Sequence, residues 1–390
     1  MDQRAVILKL DVLPPSETFV YEQARALQRF EPTLAGLERS SPSHPLNDMK
    51  VAILHAGPRP RSASWRWRLA RRLGWEPRLI ARWLASQEPS ILHVHFGVDL
   101  VRLWPALRLL NLPIATTLHG YDIQTRAEWW DSGRAGPEMI GYYDRLRQVA
   151  QDPRIHFVAV SKAVEARALA VGIPADKIAV RYIGVDTQRF RPEGPPVGER
   201  PPVVLFVGRL VEKKGCEWLL GAARQVQASV PGLEVRIAGF GPLEESLRQQ
   251  AASLGVTARF LGRLEPRQIR EELARARAFC LPSVRAESGD AEGFGIVLME
   301  AQAAGVPIVT SACGGRDEGM VHGATGFAFA ERDTPALAEH LTRLMTDDEI
   351  ATRFGHAARA FAVEHFDLVR CTAKLEVLFE ELLGRHRGTG

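Results

Sequence analysis

The chain has 390 residues, 46% of them hydrophobic and 25% charged, which excludes a small single-core module and a disordered, low-hydrophobicity chain. A formal net charge of +4 is too small to name a polyanionic partner, and nothing else in the chain supports nucleic-acid binding. The four cysteines (Cys216, Cys280, Cys313, Cys371) have no paired spacing, so a metal site and a disulfide frame are not expected.

The first apolar run, Ala5–Leu10, is too short for a signal peptide and reads as a strand, and no run approaches the roughly 18 apolar residues of a membrane helix. A reducing cytoplasm is the expected compartment. Further strands are predicted at Val51–Leu54, Ile91–Phe96, Ile114–Leu118, Ile155–Val160 and Ile178–Tyr182. Helices fall between them near Thr18–Phe30, Trp65–Ala85, Leu100–Leu110, Pro137–Ala150 and Lys162–Val171. Near-continuous apolar strands alternating with helices imply a mostly parallel sheet covered on both faces. The proline- and glycine-rich stretch Pro192–Pro202 cannot lie inside a helix or central strand and marks the best domain boundary.

After it the pattern restarts. Strands are predicted at Val203–Val207, Glu234–Ala238, Ala258–Leu261, Ala278–Leu281, Pro307–Thr310 and Gly326–Phe329. The matching helices are Cys216–Val230, Leu243–Leu254, Pro266–Ala276, Phe294–Ala304 and Thr334–Met345. The tail from Asp348 is helical and amphipathic, interrupted near His365-Phe366-Asp367. Two doubly wound halves imply a crevice at the carboxyl ends of both sheets, where such folds bind ligands.

Several motifs lie at those strand ends. In Glu292-Gly293-Phe294-Gly295-Ile296-Val297-Leu298-Met299-Glu300 a glycine-bearing loop turns into a helix. With a helix start near Phe294, Glu300 lies about 9 Å along the axis. That is roughly the span from the sugar to the ribose of a nucleotide sugar, and free N–H groups between the two acids suit a diphosphate. The plain alternative is a capped helix with a solvated glutamate. Val207-Gly208-Arg209-Leu210-Val211-Glu212-Lys213-Lys214-Gly215 follows a strand, and cations beside a glycine turn suit a leaving diphosphate. Lys213 reads as solvated. Gly239-Phe240-Gly241-Pro242 is explained by a tight strand-to-helix turn.

These motifs, with Ala301-Gln302-Ala303-Ala304-Gly305-Val306-Pro307-Ile308-Val309 directly downstream, resemble the retaining, family-four glycosyltransferases, whose hallmark is two glutamates separated by seven residues. The resemblance covers nearly the whole chain, is strongest from Val203 to Phe329 and is weak before Ile91. It implies an α/β protein of GT-B fold: two doubly wound Rossmann-like domains facing across a cleft, with a C-terminal helix crossing back to the first. The implied division is an acceptor-binding domain over 1–195, a nucleotide-sugar donor-binding domain over 203–365, and the returning helix over 366–390. It further implies transfer of a hexose from a nucleotide diphosphate, UDP-hexose ahead of GDP-mannose, to an acceptor hydroxyl with retained configuration.

By the same resemblance, His119, Arg209, Lys214 and Glu292 are catalytic, and Gly208, Arg209, Lys214, Glu292, Gly293, Phe294, Gly295 and Glu300 bind donor. No metal or other cofactor is implied. His119 lies in Thr117-Leu118-His119-Gly120-Tyr121-Asp122, where neutral imidazole suits a bond to the donor sugar. Asp122 suits either the acceptor side or a turn cap. His93 and His95 alternate along one strand and suit structural or acceptor-side roles. Pro14-Pro15-Ser16-Glu17-Thr18-Phe19 replaces the glycine-rich loop of many members and resembles a subset from exopolysaccharide and colanic-acid assembly. Ser16 or Thr18 suits a helix cap there, and Glu17 an acceptor-side carboxylate.

The segment Arg59–Trp83 interleaves arginine with tryptophan. It suits contact with an anionic membrane surface at the inner face of the plasma membrane, or a lipid-linked acceptor, and equally a helix with tryptophans inward and arginines in water. Ser161-Lys162-Ala163 and Ile183-Gly184-Val185-Asp186 resemble family patterns that a helix cap and a tight turn explain equally, and Gly314-Gly315 suits either close backbone approach to a ligand or a plain loop. Rival readings are a nucleotide-sugar epimerase of the same architecture, a transferase acting on a soluble small molecule, and a non-catalytic sugar-binding protein.

Overall fold

The computed structural model describes residues 3–12, 17–39, 49–55, 74, 76–311 and 316–388. Ser16, Cys313, the Gly314-Gly315 pair and most of Arg59–Trp83 lie outside them.

Two parallel sheets organise the chain. The first contains β1 (Gln3–Asp11), β2 (Phe30–Glu38), β3 (Lys50–Ile53), β4 (Ile91–His95), β5 (Ile114–Leu118), β6 (Ile155–Ala159) and β7 (Ile178–Val180), in the order β3-β2-β1-β4-β5-β6-β7. The second contains β8 (Val203–Val207), β9 (Glu234–Ala238), β10 (Ala258–Gly262), β11 (Ala278–Leu281), β12 (Ile308–Thr310) and β13 (Gly326–Ala328), in the order β10-β9-β8-β11-β12-β13. The central strands β4, β5, β8 and β11 are buried along their whole length, as expected where helices cover both faces. In each sheet the winding reverses at the centre, between β1 and β4 and between β8 and β11. Crevices open at the carboxyl ends of such strand pairs.

One strand escapes the sequence reading. The helix expected over Thr18–Phe30 stops at Arg25, and Phe30–Glu38 forms β2 beside β1. Its Pro32 and Gly36 argue against a strand in the sequence. Pro32 is tolerated because β3 starts to pair only at Thr33, so no ladder partner on that side needs its missing N–H.

Short helices over Tyr121–Gln124 and Ala127–Asp131 are not expected from the sequence, and the helix expected over Pro137–Ala150 is a turn at Pro137–Met139 followed by a helix over Tyr142–Ala150. The helix expected over Leu100–Leu110 begins earlier, at Gly97. The proline-rich crossing is docked rather than loose: Val197 is buried, and the Gly198 amide donates to Thr352 Oγ1 at 3.1 Å. Arg200 is buried beneath it and donates to the carbonyls of Leu273 and Ala276, both at 2.9 Å, at the end of helix Pro266–Arg275.

The last helices, Asp348–His365 and Leu368–Gly388, break at Phe366-Asp367 because the backbone there bonds elsewhere. Val185 N donates to Phe366 O at 2.8 Å, and Leu368 N donates to Val185 O at 2.9 Å. Past the break, Leu375, Phe379 and Leu382 pack with Ile7, Ile91 and Ala115 of the first sheet. Glu376, 1% exposed, accepts the amides of Gln28 at 2.8 Å and Arg29 at 2.6 Å, just ahead of β2. The final helix thus crosses back to the first sheet and is held there by apolar packing and a buried carboxylate.

Candidate active site

A cleft of about 580 Å³ runs between the sheets. It is walled by the ends of β8 and β9 and the start of helix Ile296–Ala303 on one side, and by residues following β1, β4 and β5 on the other.

On the second-sheet wall the glycine turns set the backbone. A Cβ on Gly239 would lie 1.8 Å from Gly208 O, and one on Gly241 would lie 2.4 Å from Leu210 O. Only glycine permits this approach, which lets Gly208 N bond Ala238 O at 3.0 Å and Leu210 N bond Phe240 O at 2.9 Å. The Gly-x-Gly turn therefore holds the loop carrying Arg209. Arg209 is exposed on the cleft wall.

Lys214 is ion-paired with Glu292, which is half-buried, and Arg209 adds its field. Burial pushes the Glu292 carboxyl up, but Lys214, Lys213 and Arg209 together outweigh it and hold the group below its ordinary range. Lys213 is not solvated as its sequence suggests. It is 9% exposed and paired with Asp290 at 2.9 Å, because the short turn Glu212–Lys214 points consecutive lysines at two different acids.

The helix after Glu292 starts at Ile296, two residues later than expected, behind a left-handed Gly295 with φ +77° and no side-chain cap. Glu300 is therefore about 6 Å along the axis from the helix start, little more than one turn. Gly295, Ile296 and Val297 line the cleft at this uncapped end. The Glu300 carboxyl is pushed up to about 7 by burial, with Arg189 opposing and Glu22 reinforcing the shift. Phe294 lines the cleft but is only 4% exposed, stacked on Tyr182 with ring centroids 5.2 Å apart.

Gly293 is where the halves meet. A Cβ there would lie 1.9 Å from His119 O, and Ser161 Oγ donates to Gly293 O at 2.7 Å. Glu318 reinforces the seam by accepting from Lys162 N at 2.8 Å and from Tyr182 Oη at 2.7 Å.

The first-sheet wall is assembled from strand ends. His119 follows β5 and lines the cleft, with its Nε2 2.9 Å from His95 Nδ1. Asp122 does not reach the cleft. It is fully buried, and its carboxylate accepts the amides of Gly97 at 2.8 Å and of His119 and Gly120 at 3.0 Å each. The acceptor-side reading of Asp122 is corrected accordingly: it holds the turn that carries His119. His93 is likewise buried, with Nε2 2.7 Å from Thr117 Oγ1. Among the described residues no cluster with His93 and His95 is built to hold a metal.

Glu17 lines the cleft, and the sequence reading missed what lies beneath it. Lys9, 5% exposed, pairs with Glu17 at 3.0 Å and Asp99 at 3.2 Å, its Nζ 4.0 Å from the Phe96 ring centroid. Phe96 takes φ +71°, a conformation costing a bulky residue about 1–3 kcal/mol. That strain places its ring 4.4 Å from His119. A lysine inside the otherwise apolar run Val6-Ile7-Leu8-Lys9-Leu10 is the signal that marks this cluster, since a buried lysine requires partners.

Two family models together match residues 16–361: Glycosyltransferase Family 4 over residues 16–189 and Glycosyl transferases group 1 over 188–361. The amylovoran biosynthesis glycosyltransferase AmsK of Erwinia amylovora is 30% identical over 305 residues, 76% of this chain and 72% of that protein. The putative colanic acid biosynthesis glycosyltransferase WcaL of Salmonella typhimurium is 31% identical over 299 residues, 74% of this chain and 71% of that protein. In fold, the crystal structure of HepE from Anabaena with UDP and glucose matches with TM-score 0.79 at 18% identity, covering 97% of this chain and 100% of that one. With both family models, these relatives and the two facing sheets in agreement, the chain belongs to the family-four glycosyltransferases and has the GT-B fold.

Proposed function

We propose that this glycosyltransferase moves a hexose from a nucleotide diphosphate sugar to an acceptor hydroxyl with retention of anomeric configuration, in the assembly of an exopolysaccharide. The observation that carries the reading is one cleft that brings Arg209, the Lys214–Glu292 pair, an uncapped helix start and Glu300 together opposite His119. The two halves divide the work as acceptor side (1–195) and donor side (203–365), with the helix over 366–390 tying the second to the first.

The diphosphate lies against Arg209, Lys214 and the amides of Gly295 and Ile296. Charge-assisted bonds there stabilise the oxygen that departs as the bond to the anomeric carbon breaks. Glu292 accepts from sugar hydroxyls and Glu300 from ribose hydroxyls. His119 hydrogen-bonds the sugar as a neutral imidazole. The departing phosphate oxygen takes the proton of the acceptor hydroxyl, whose oxygen bonds the anomeric carbon on the same face. Arg209 and Lys214 supply the positive charge that a divalent cation would otherwise bring.

UDP-hexose is the proposed donor, ahead of GDP-mannose, in line with the UDP and glucose of HepE and with the exopolysaccharide role in the names of AmsK and WcaL. A lipid-linked acceptor at the cytoplasmic membrane face, with Arg59–Trp83 touching the surface, rests on the composition of that segment. No helix among the described residues is long and apolar enough to cross a membrane.

A panel of UDP-, GDP- and ADP-sugars followed by thermal shift identifies the base, and the anomeric configuration of the transferred sugar then tests retention. An inverted product, or nucleotide released at the same rate with and without acceptor while the sugar is isomerised, sinks this reading.

A further inference from the structure

The imidazole assigned to the donor sugar does not stand alone. Parallel pairing of β4 with β5 sets His95 opposite Thr117, and the chain then turns so that His119 lies beside His95. Nδ1 of His95 is 2.9 Å from Nε2 of His119, with the two rings inclined by only 17°. Burial holds both groups well below the ordinary histidine range, with the Lys9 and His93 charges pushing the same way. Two neutral rings in this contact share one N–H, so one must donate and the other accept. His119 therefore cannot choose its tautomer independently of His95. Its ring is also confined between Phe96 at 4.4 Å and Phe19 at 5.0 Å.

We propose that His95 is a positioning residue for the transfer reaction: by holding Nε2 of His119 it fixes that ring's tautomer and orientation, and so presents Nδ1 to the donor sugar. The inference rests on the reading of His119 as a donor-sugar contact. His93, two residues earlier on β4, is turned to Thr117 and to Phe379 of the last helix, so the strand separates a structural histidine from a positioning one.

The test compares the full chain with His95→Phe, His95→Asn and His119→Ala. Nitrogen-15 spectra of histidine-labelled protein need no donor, and His119→Ala assigns the His119 signals. The parent should show His119 in one tautomer with a hydrogen-bonded Nε2, unchanged from pH 6 to 8. In His95→Phe the two His119 nitrogens should move toward averaged shifts. Turnover of UDP-glucose or GDP-mannose, whichever the parent uses, should fall about 10- to 100-fold in kcat, with donor KM within about threefold. His95→Asn, whose side-chain amide can occupy the place of Nδ1, should regain most of that loss, and it carries the test if the phenylalanine variant melts early.

Unmoved His119 signals in His95→Phe, or an asparagine variant that melts like the parent yet is as slow as the phenylalanine one, overturns the positioning role. His119→Ala at full kcat overturns the His119 assignment and this inference together. An impaired His119→Ala beside a normal His95→Phe overturns this inference alone.

Discussion

On the cleft wall built by the second sheet, charge is presented: Arg209 is exposed, and Lys214 and Glu292 pair at the surface of the open space. On the facing wall, charge is buried: Lys9 is 5% exposed between Glu17 and Asp99, beneath two neutral histidines. The first arrangement suits a ligand that brings its own negative charge, since the exposed Arg209 loses little on exchanging water for phosphate. The second suits a neutral ligand group, for which hydrogen bonds from a rigid wall whose charges are already paired supply selectivity without a free ion in low dielectric.

The contrast can be broken where the walls touch. Gly293→Ala should cut kcat by more than about 10³, because its Cβ would overlap His119 O at 1.9 Å and push the walls apart by a distance at which alignment fails. Turnover near the parent's in that variant means the seam is not held closed as the structure has it. Arg209→Ala should cost about 10²–10³ in kcat at saturating donor, the usual worth of one preorganised charge contact. Equal turnover assigns the diphosphate elsewhere.

Lys9→Met sharpens the comparison from the buried side. Leaving Glu17 and Asp99 without their cation should lower unfolding stability by about 3 kcal/mol, seen in denaturant melts. Arg209→Ala, an exposed site, should leave the same melts within about 0.5 kcal/mol.

Glu300→Ala should have the smallest effect, about a tenfold rise in donor KM with little change in kcat. The pH dependence has a defined sign. The free carboxyl titrates at about 7, and only the ionised form accepts two ribose hydroxyls, so donor binding lowers its pKa. Affinity should be full above pH 7 and weaken as pH falls, with KM about tenfold higher at pH 6 than at pH 8. Glu300→Gln should flatten that profile. A parent profile already flat between those values contradicts the assignment.

Legibility divides along the same wall. The charged residues of the second-sheet wall fall in two short stretches, Arg209–Lys214 and Glu292–Glu300, each placed by a loop and a helix start through local geometry. Arg209, Lys214, Glu292 and Glu300 were therefore readable from the text around them. Local reading failed where a neighbour decided: Lys213 took Asp290, the helix began at Ile296 rather than Phe294, and Phe30–Glu38 became a strand because β1 offered an edge. On the opposite wall Lys9, Glu17, Phe96, Asp99 and His119 come from three strand ends, and only Glu17 and His119 stood out beforehand.

By itself, the sequence determined the parallel α/β alternation, the restart after Pro192–Pro202 and the loop-to-helix motifs that carry Arg209, Lys214, Glu292 and Glu300, because hydrophobic period and turn chemistry act over a few residues. The tertiary structure alone decided that Asp122 braces a turn instead of facing the cleft, that Lys9 lies paired beneath the cleft wall, and that His95 meets His119. Those outcomes depend on which strand ends lie side by side, and that order is set by packing across the sheet, which no local stretch of chain encodes.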